Sequence, residues 1–464
     1  MPNFDRTPEP AENKMGTMPI GRLLFQMALP MIIAMLVQAL YNVVDSIYIS
    51  RISESAVTAL SLAFPIQNLQ IGFAIGIGVG VNALLSKALG QGDRETADRA
   101  AGNGIFLMLV GTALFVLFGI FGTKPYYAMQ SDVAETVQGG IAYSTICSVF
   151  TLGIFMEVLG ERLLQASGRT FYTLITQGTG AIVNILLDPV FIFGVDFLGI
   201  PALGMAGAAI ATVIGQWIAA LLAVYFNVKH NPDVHLSLSN IRPQLSVVKP
   251  ILSVGIPTII MNSIGSVMTF GMNQILQGFH ETATGVFGIY FKLQSFFFMP
   301  VFGLNNATIS IVAYNYGARK PGRIAETLRC SCIGALSVMT AGLLIFQLLP
   351  DMLIGIFNPT DEFLRIGRSA LRIISLHFPL AAFGIALGAS FPALGNGIYS
   401  TITSLCRQLI ALLPAAYLLS LTGEVINVWW SFPIAEVVSL TVTVFLFRKI
   451  YRQQVSPMQE NSET

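Results

Sequence analysis

The sequence predicts an all-α membrane protein of twelve transmembrane helices, arranged as two pseudo-symmetric six-helix bundles. An apolar composition, twelve regularly spaced apolar stretches and a long internal repeat predict it. Of 464 residues, 54% are hydrophobic and only 11% charged, with mean hydropathy +0.70, whereas soluble domains carry about 25% charged residues. Such a chain cannot have water as its main solvent.

A spanning helix needs about 20 mostly apolar residues. In the first half such stretches cover 23–49, 56–87, 100–122, 137–157, 170–194 and 204–228; in the second, 248–276, 282–312, 328–350, 366–390, 396–421 and 426–450. Shifting the sequence by 227 residues brings the halves into register without a gap over the long stretch from Pro30 to Gly168. Pro30-Met31-Ile32-Ile33 then meets Pro257-Thr258-Ile259-Ile260, Gly76 meets Gly303, Gly90 meets Gly317, and Ala166-Ser167-Gly168 meets Ala393-Leu394-Gly395. A single offset sustained over this length marks a duplication. Six spans per repeat, an even number, give both halves the same orientation about an axis along the membrane normal, with a cleft between them as the expected ligand site.

Orientation follows from basic residues in the loops. With the N-terminus inside, eighteen of the 25 Lys and Arg residues fall in cytoplasmic segments and three in outside loops. Both termini are therefore expected in the cytoplasm, with the chain in an inner (plasma) membrane. The organisation expected is a tail over 1–22, a bundle over 23–228, a polar linker over 229–249, a second bundle over 250–450 and a tail over 451–464. Residues 1–22 lack the basic start, apolar stretch and cleavage site of a secretory signal. Cys147, Cys330, Cys332 and Cys406 read as packing residues, since Cys330-Ser331-Cys332 is too closely spaced for a metal knuckle or a redox pair.

Polar groups inside spans are the strongest functional signal, because a charge near the bilayer centre costs about 2.5 to 3.5 kcal/mol on insertion scales. Asp45 and Asp188 both fall in the outer half of the first bundle. Each lies on a polar stripe of helical period, Gln38-Asn42-Asp45 and Gln177-Asn184-Asp188. Such a pair could take up a proton, or hold Na⁺ with neighbouring amide and hydroxyl oxygens; the alternatives are structural carboxylates or headgroup-level residues. Gln38, Tyr41, Asn42 and Gln177 are cavity candidates, and Asn262, Ser266, Thr269 and Asn273 form an uncharged stripe on helix 7, either a cavity wall in which Asn262, Ser266 and Asn273 are further candidates or simply interhelical contacts. Pro30 and Pro189 permit helix bending. Arg407 and Glu436 are placed to meet at mid-depth as a structural ion pair, Arg368 and Arg372 to snorkel outward. Lys292 has no evident partner. His377 is either a proton carrier or a satisfied polar group.

The polar segments contain no metal-ligand cluster, no nucleophile with its base and no phosphate-cradling loop, so no catalytic residue, metal or cofactor is expected. Gly76-Ile77-Gly78-Val79-Gly80 lies inside an apolar helix and reads as a packing motif.

Taken together, the Pro30-to-Asp45 pattern, the loop Gly90-Gln91-Gly92-Asp93 with its partner Gly317-Ala318-Arg319-Lys320, Asn184-x-x-x-Asp188-Pro189, Gly207-Ala208-Ala209-Ile210-Ala211-Thr212 and Pro433-Ile434-Ala435-Glu436 resemble the multidrug and toxic compound extrusion (MATE) family, in its DinF/MepA-like branch. The resemblance covers about residues 20 to 450. It implies a V-shaped pair of bundles working by alternating access, an antiporter in which H⁺ or Na⁺ entry drives export of cationic amphipathic compounds, with antibiotic resistance as a consequence. It maps a coupling site onto Asp45, Asn184, Asp188 and Thr212, and places it in the first bundle because helices 7 and 10 offer only Asn, Ser, Thr and His377. The expected partners are small organic cations and the lipid bilayer, with no nucleic acid, and the protein is expected to act as a monomer. The rival is a lipid-linked oligosaccharide flippase of the same broad superfamily. Its pyrophosphate cargo requires several cavity cations, and only Lys292 and Arg407 qualify.

Overall fold

The computed structural model describes residues 13–195, 199–279, 281–357 and 360–458. Ten helices are long and apolar enough to cross a membrane, and two bent pairs bring the number among the described residues to twelve. In the first half they are α1 (Ile20–Ser50), α2 (Glu54–Gln91), α3 (Arg94–Ala128), the bent α4 (Ala134–Val149 with Leu152–Ala166), α5 (Thr170–Phe193) and α6 (Met205–His230). The second half repeats the pattern as α7 (Leu245–Gln277), α8 (Glu281–Gly317), α9 (Pro321–Leu348), the bent α10 (Asp361–Ser375 with Phe378–Ala393), α11 (Gly397–Ser420) and α12 (Val425–Met458). The result is an all-helical protein of two six-helix bundles. Large apolar side chains remain exposed around the outside, among them Leu114, Phe121, Leu186 and Phe445, a surface suited to lipid rather than to water.

Three boundaries differ from those the sequence predicts. α4 runs to Ala166 instead of 157, because Glu157, Glu161, Arg162 and Gln165 end the apolar stretch in the sequence yet face the bundle interior. Arg162, counted above among the loop cations, is therefore a buried helix residue. α12 continues through residues 451–458 of the expected tail. α1 starts at Ile20 after a helical turn, Lys14–Thr17, so the end of the expected 1–22 tail is structured. Residues 1–12 and 459–464 lie outside the described residues.

The 229–249 connection is docked. Val234 is buried in the first bundle's core, Asp98 Oδ1 accepts from the His235 amide at 2.7 Å, and Asn103 Oδ1 accepts from the Gln244 amide at 2.8 Å. At the loop between α2 and α3, Gly92 takes φ +75°, the left-handed conformation that closes a helix, and Asp93 then caps the next one. Thr96 donates to Asp93 from its hydroxyl at 2.6 Å and from its amide at 2.9 Å. These bonds hold the Asp93 carboxyl below its ordinary range. A depressed pKa contributes stability that is present at neutral pH and lost as pH falls through the folded value. Asp93→Ala is expected to lower stability by about 1 kcal/mol at neutral pH. The difference from wild type, read as midpoint temperatures, should shrink as pH falls below the carboxylate range.

The side on which α1 starts, termed proximal, is where the two halves lock together. Gly90 of α2 and Gly317 of α8, partners in the sequence repeat, cross at backbone contact. A Cβ on Gly90 would land on the Tyr314 carbonyl, and one on Gly317 on the Lys87 carbonyl. Above the crossing, Ser310 Oγ donates to Asn82 Oδ1 at 3.1 Å. The proximal part of α1, from Ile20 to Met31, packs into the core of the second bundle with Phe287, Leu304 and Met339. In the repeat-related manner, Val247 and Ile251 of α7 pack into the first bundle.

Residues 13–18 form a strap across this joint. On one side Asn13 Nδ2 donates to the Ser167 carbonyl at 3.2 Å and to Asp233 Oδ2 at 3.1 Å. On the other, Arg323 Nη2 donates to the carbonyls of Met15 at 3.0 Å and Met18 at 2.7 Å, Asn315 Nδ2 to Met15 at 3.1 Å, and Lys320 Nζ to Gly16 at 3.1 Å. Hydrogen bonds from a charged donor contribute about 1.5 to 3 kcal/mol each. Arg323→Met is therefore expected to release the strap, with hydrogen exchange at residues 15–18 accelerated by at least about tenfold.

Candidate functional site

α5 places Asn184 and Asp188 one turn apart on its buried face, opposite Thr212 of α6. α6 approaches closely because Gly215 faces Gly180, where a Cβ on Gly215 would lie 2.7 Å from the Gly180 carbonyl. Asn184 Nδ2 donates to Asp188 Oδ1 at 3.4 Å and to Thr212 Oγ1 at 3.3 Å. α1 brings in Asp45, 8% exposed, against Asp188, which is fully buried, and the two carboxylates are close enough for their charges to interact. Three oxygens of this group, Asp45 Oδ1, Asn184 Oδ1 and Asp188 Oδ2, are buried without a hydrogen-bond partner among the described residues. Orphaned buried acceptors of this kind are rare in folded proteins, and carboxylate and amide oxygens are the donors that a small hard cation takes.

A cavity of about 140 Å³ lies beside this group and reaches from Asn184 and Thr212 toward the proximal side, with Asn306 of α8 also on its wall. Gln38, Tyr41, Gln177, Asn184 and Thr212 line it, with Met31, Met35, Ile71 and Ile75 as its apolar wall. The side chain of Asn42 lies outside the described residues. Asn262, Ser266 and Asn273 sit on α7 outside this cavity; Asn262 and Ser266 are exposed, Asn273 half-buried.

Sequence reasoning missed a second acidic pair. Glu157 and Glu161, one turn apart on the proximal half of α4, line the cavity and are nearly buried. Thr176 Oγ1 and Gln177 Nε2 each donate to Glu161 at 2.9 Å, while Arg162 Nη1 donates to Gln165 Oε1 at 2.9 Å. A signal was present: no helix stop precedes Gly168, whose φ of +78° closes the segment.

Elsewhere, Arg407 Nη1 and Glu436 Oε2 lie 3.9 Å apart, with Glu436 buried. His377 sits at the bend of α10, its Nδ1 2.5 Å from the Ile374 carbonyl and its ring against Phe298, Phe378 and Phe432, the surroundings of a satisfied polar group. Lys292 is exposed on α8. Arg368, expected to snorkel outward, bonds Asp351 in the α9–α10 connection at 2.7 and 2.9 Å. Pro30 and Pro189 lie inside unbroken helices; the sharp bends, 47° and 45°, fall between Val149 and Leu152 and between Ser375 and Phe378. A proline removes a single helical hydrogen bond, which neighbouring groups in a spanning helix can make good.

The MatE family model matches the chain twice, over residues 30–190 and 257–418, and the two matches begin at Pro30 and Pro257, a pair in the sequence repeat. The chain is a MATE family transporter. It is similar to the multidrug export protein MepA of Staphylococcus saprophyticus, 23% identical over 425 residues, covering 91% of this chain and 92% of that one. MepA of Staphylococcus aureus strain MSSA476 is 22% identical over 419 residues, covering 90% and 91%. The fold is that of a multidrug resistance MATE family transporter solved in an outward-facing conformation, with TM-score 0.89, 24% identity and coverage of 98% of this chain and 100% of that chain. A MOP superfamily transporter from Pyrococcus furiosus Vc1 superimposes with TM-score 0.87 at 23% identity, covering 97% and 99%. This MATE protein is thus a multi-pass bacterial membrane transporter.

Proposed function

We propose that this MATE transporter exports cationic amphipathic compounds in exchange for H⁺ or Na⁺, with Asp45, Asn184, Asp188 and Thr212 as the coupling site. The observation that carries the reading is the trio of buried, partnerless oxygens on Asp45, Asn184 and Asp188. Two carboxylates buried together cannot both stay charged without a counter-ion, so the site is built to gain and lose one. MepA relatives named for multidrug export support the substrate class.

In this reading the proximal side is cytoplasmic and each chain, carrying a whole cavity, works as a monomer. The locked Gly90–Gly317 joint closes the cytoplasmic side, and alternating access requires that joint to open. Uptake of the ion at Asp45 and Asp188 favours one state and substrate the other, since a ligand shifts such an equilibrium only through its differential affinity. The test is ethidium efflux from sealed vesicles under an imposed pH gradient or an imposed Na⁺ gradient. Efflux under one of them supports coupled export and names the ion. Absence of efflux under both would overturn the reading and favour the flippase.

A further inference from the structure

We propose that Glu157 and Glu161 form a second acidic centre in the cavity, at which a monovalent organic cation replaces a proton. The inference rests on the export reading for its substrate class, and adds the place where the cationic group sits.

The argument is one of charge count in a buried space. Glu161 has both oxygens engaged, by Thr176 and Gln177, and the Arg162 guanidinium interacts with its charge. Glu157, one turn away and 9% exposed, has no hydrogen bond among the described residues. With both carboxylates ionised and Arg162 charged, the cluster has one uncompensated negative charge against an apolar wall. An unpaired charge in such surroundings is strongly unfavourable and is relieved by a proton or by a cation. A second observation points to a ligand: Glu157, unpartnered among the described residues and nine-tenths buried, stands on the wall of a cavity of about 140 Å³. Tyr41 also lines it and interacts with Glu157, offering a ring for a cation face.

This centre is distinct from the Asp45–Asp188 group. Gln177, which donates to Glu161, and Asp188 are about 16 Å apart along α5 at 1.5 Å per residue, and Glu157 and Glu161 line a cavity that neither Asp45 nor Asp188 lines. The exchange balances simply: the carboxylic acid of Glu157 loses its proton to solvent as the organic cation pairs with the carboxylate left behind, and the reverse step expels the cation.

The experiment titrates purified full-length protein with benzyltrimethylammonium by calorimetry, at one pH in buffers of different ionisation enthalpy, to count protons released per cation bound. Wild type should release up to one proton per cation. Glu157→Gln should bind at least tenfold more weakly and release none, whereas Glu157→Asp, which keeps the charge, should retain both properties and controls for folding. Unchanged affinity and proton release in Glu157→Gln would overturn the proposal. Because binding is measured without any gradient, a failure of ion-driven efflux in vesicles would refute coupled export and leave this result standing.

Discussion

Asp188→Asn is expected to abolish ion-driven accumulation while leaving downhill substrate movement and folding in place. The amide is nearly isosteric and keeps an oxygen for Asn184 Nδ2, now 3.4 Å from Asp188 Oδ1, so packing around this fully buried side chain is preserved. What it loses is the ability to bind and release a counter-ion. One pH unit is worth about 1.4 kcal/mol, so a wild-type exchanger working one for one should concentrate substrate about tenfold across that gradient. The variant should reach only equal concentrations on the two sides. Vesicle flux under a calibrated pH or Na⁺ gradient measures both; accumulation at the wild-type level in the variant would remove Asp188 from the coupling site.

Gly90→Leu should give the second large effect. With the Cβ position already occupied by the Tyr314 carbonyl, any side chain there must push α8 away from α2. Gly317→Leu, which meets the Lys87 carbonyl, should do the same from the other half. Overpacking of this kind typically costs about 1 to 3 kcal/mol, which shifts an equilibrium between closed and open proximal sides by roughly 5- to 150-fold. Spin labels on the proximal ends of α3 and α9 should report a longer distance in either variant. Gly322→Ala, on the same side of the molecule but with open space at its Cβ, should leave that distance unchanged. The double variant should add little to either single one, since both relieve the same contact. Unchanged distances in Gly90→Leu would show that the crossing does not set the closure.

Twelve spans, their duplication and the repeat register that matches Gly90 to Gly317 were legible in the amino-acid sequence, because lipid imposes length and apolarity on every span and a repeat preserves its own register. The polar stripe of α5 was legible for the same reason: helical period projects Gln177, Asn184 and Asp188 to one face. The second acidic pair was not. Glu157, Glu161 and Arg162 lower the apparent hydropathy at the end of α4, and a hydropathy pattern cannot distinguish polar residues facing water from polar residues facing a cavity.

The strap was equally hidden, since Asn13 to Met18 form hydrogen bonds with residues 154 to 308 positions away. A tail of mixed composition has no periodicity that reports such partners. Local chemistry and the membrane's demand that each span satisfy its own backbone settled the helices and their repeat from the chain alone. Only the tertiary structure decided which buried polar atoms go without partners, which carboxylates share a cavity and which glycines touch. Those are properties of how side chains from distant spans meet, and no one-dimensional pattern encodes that meeting.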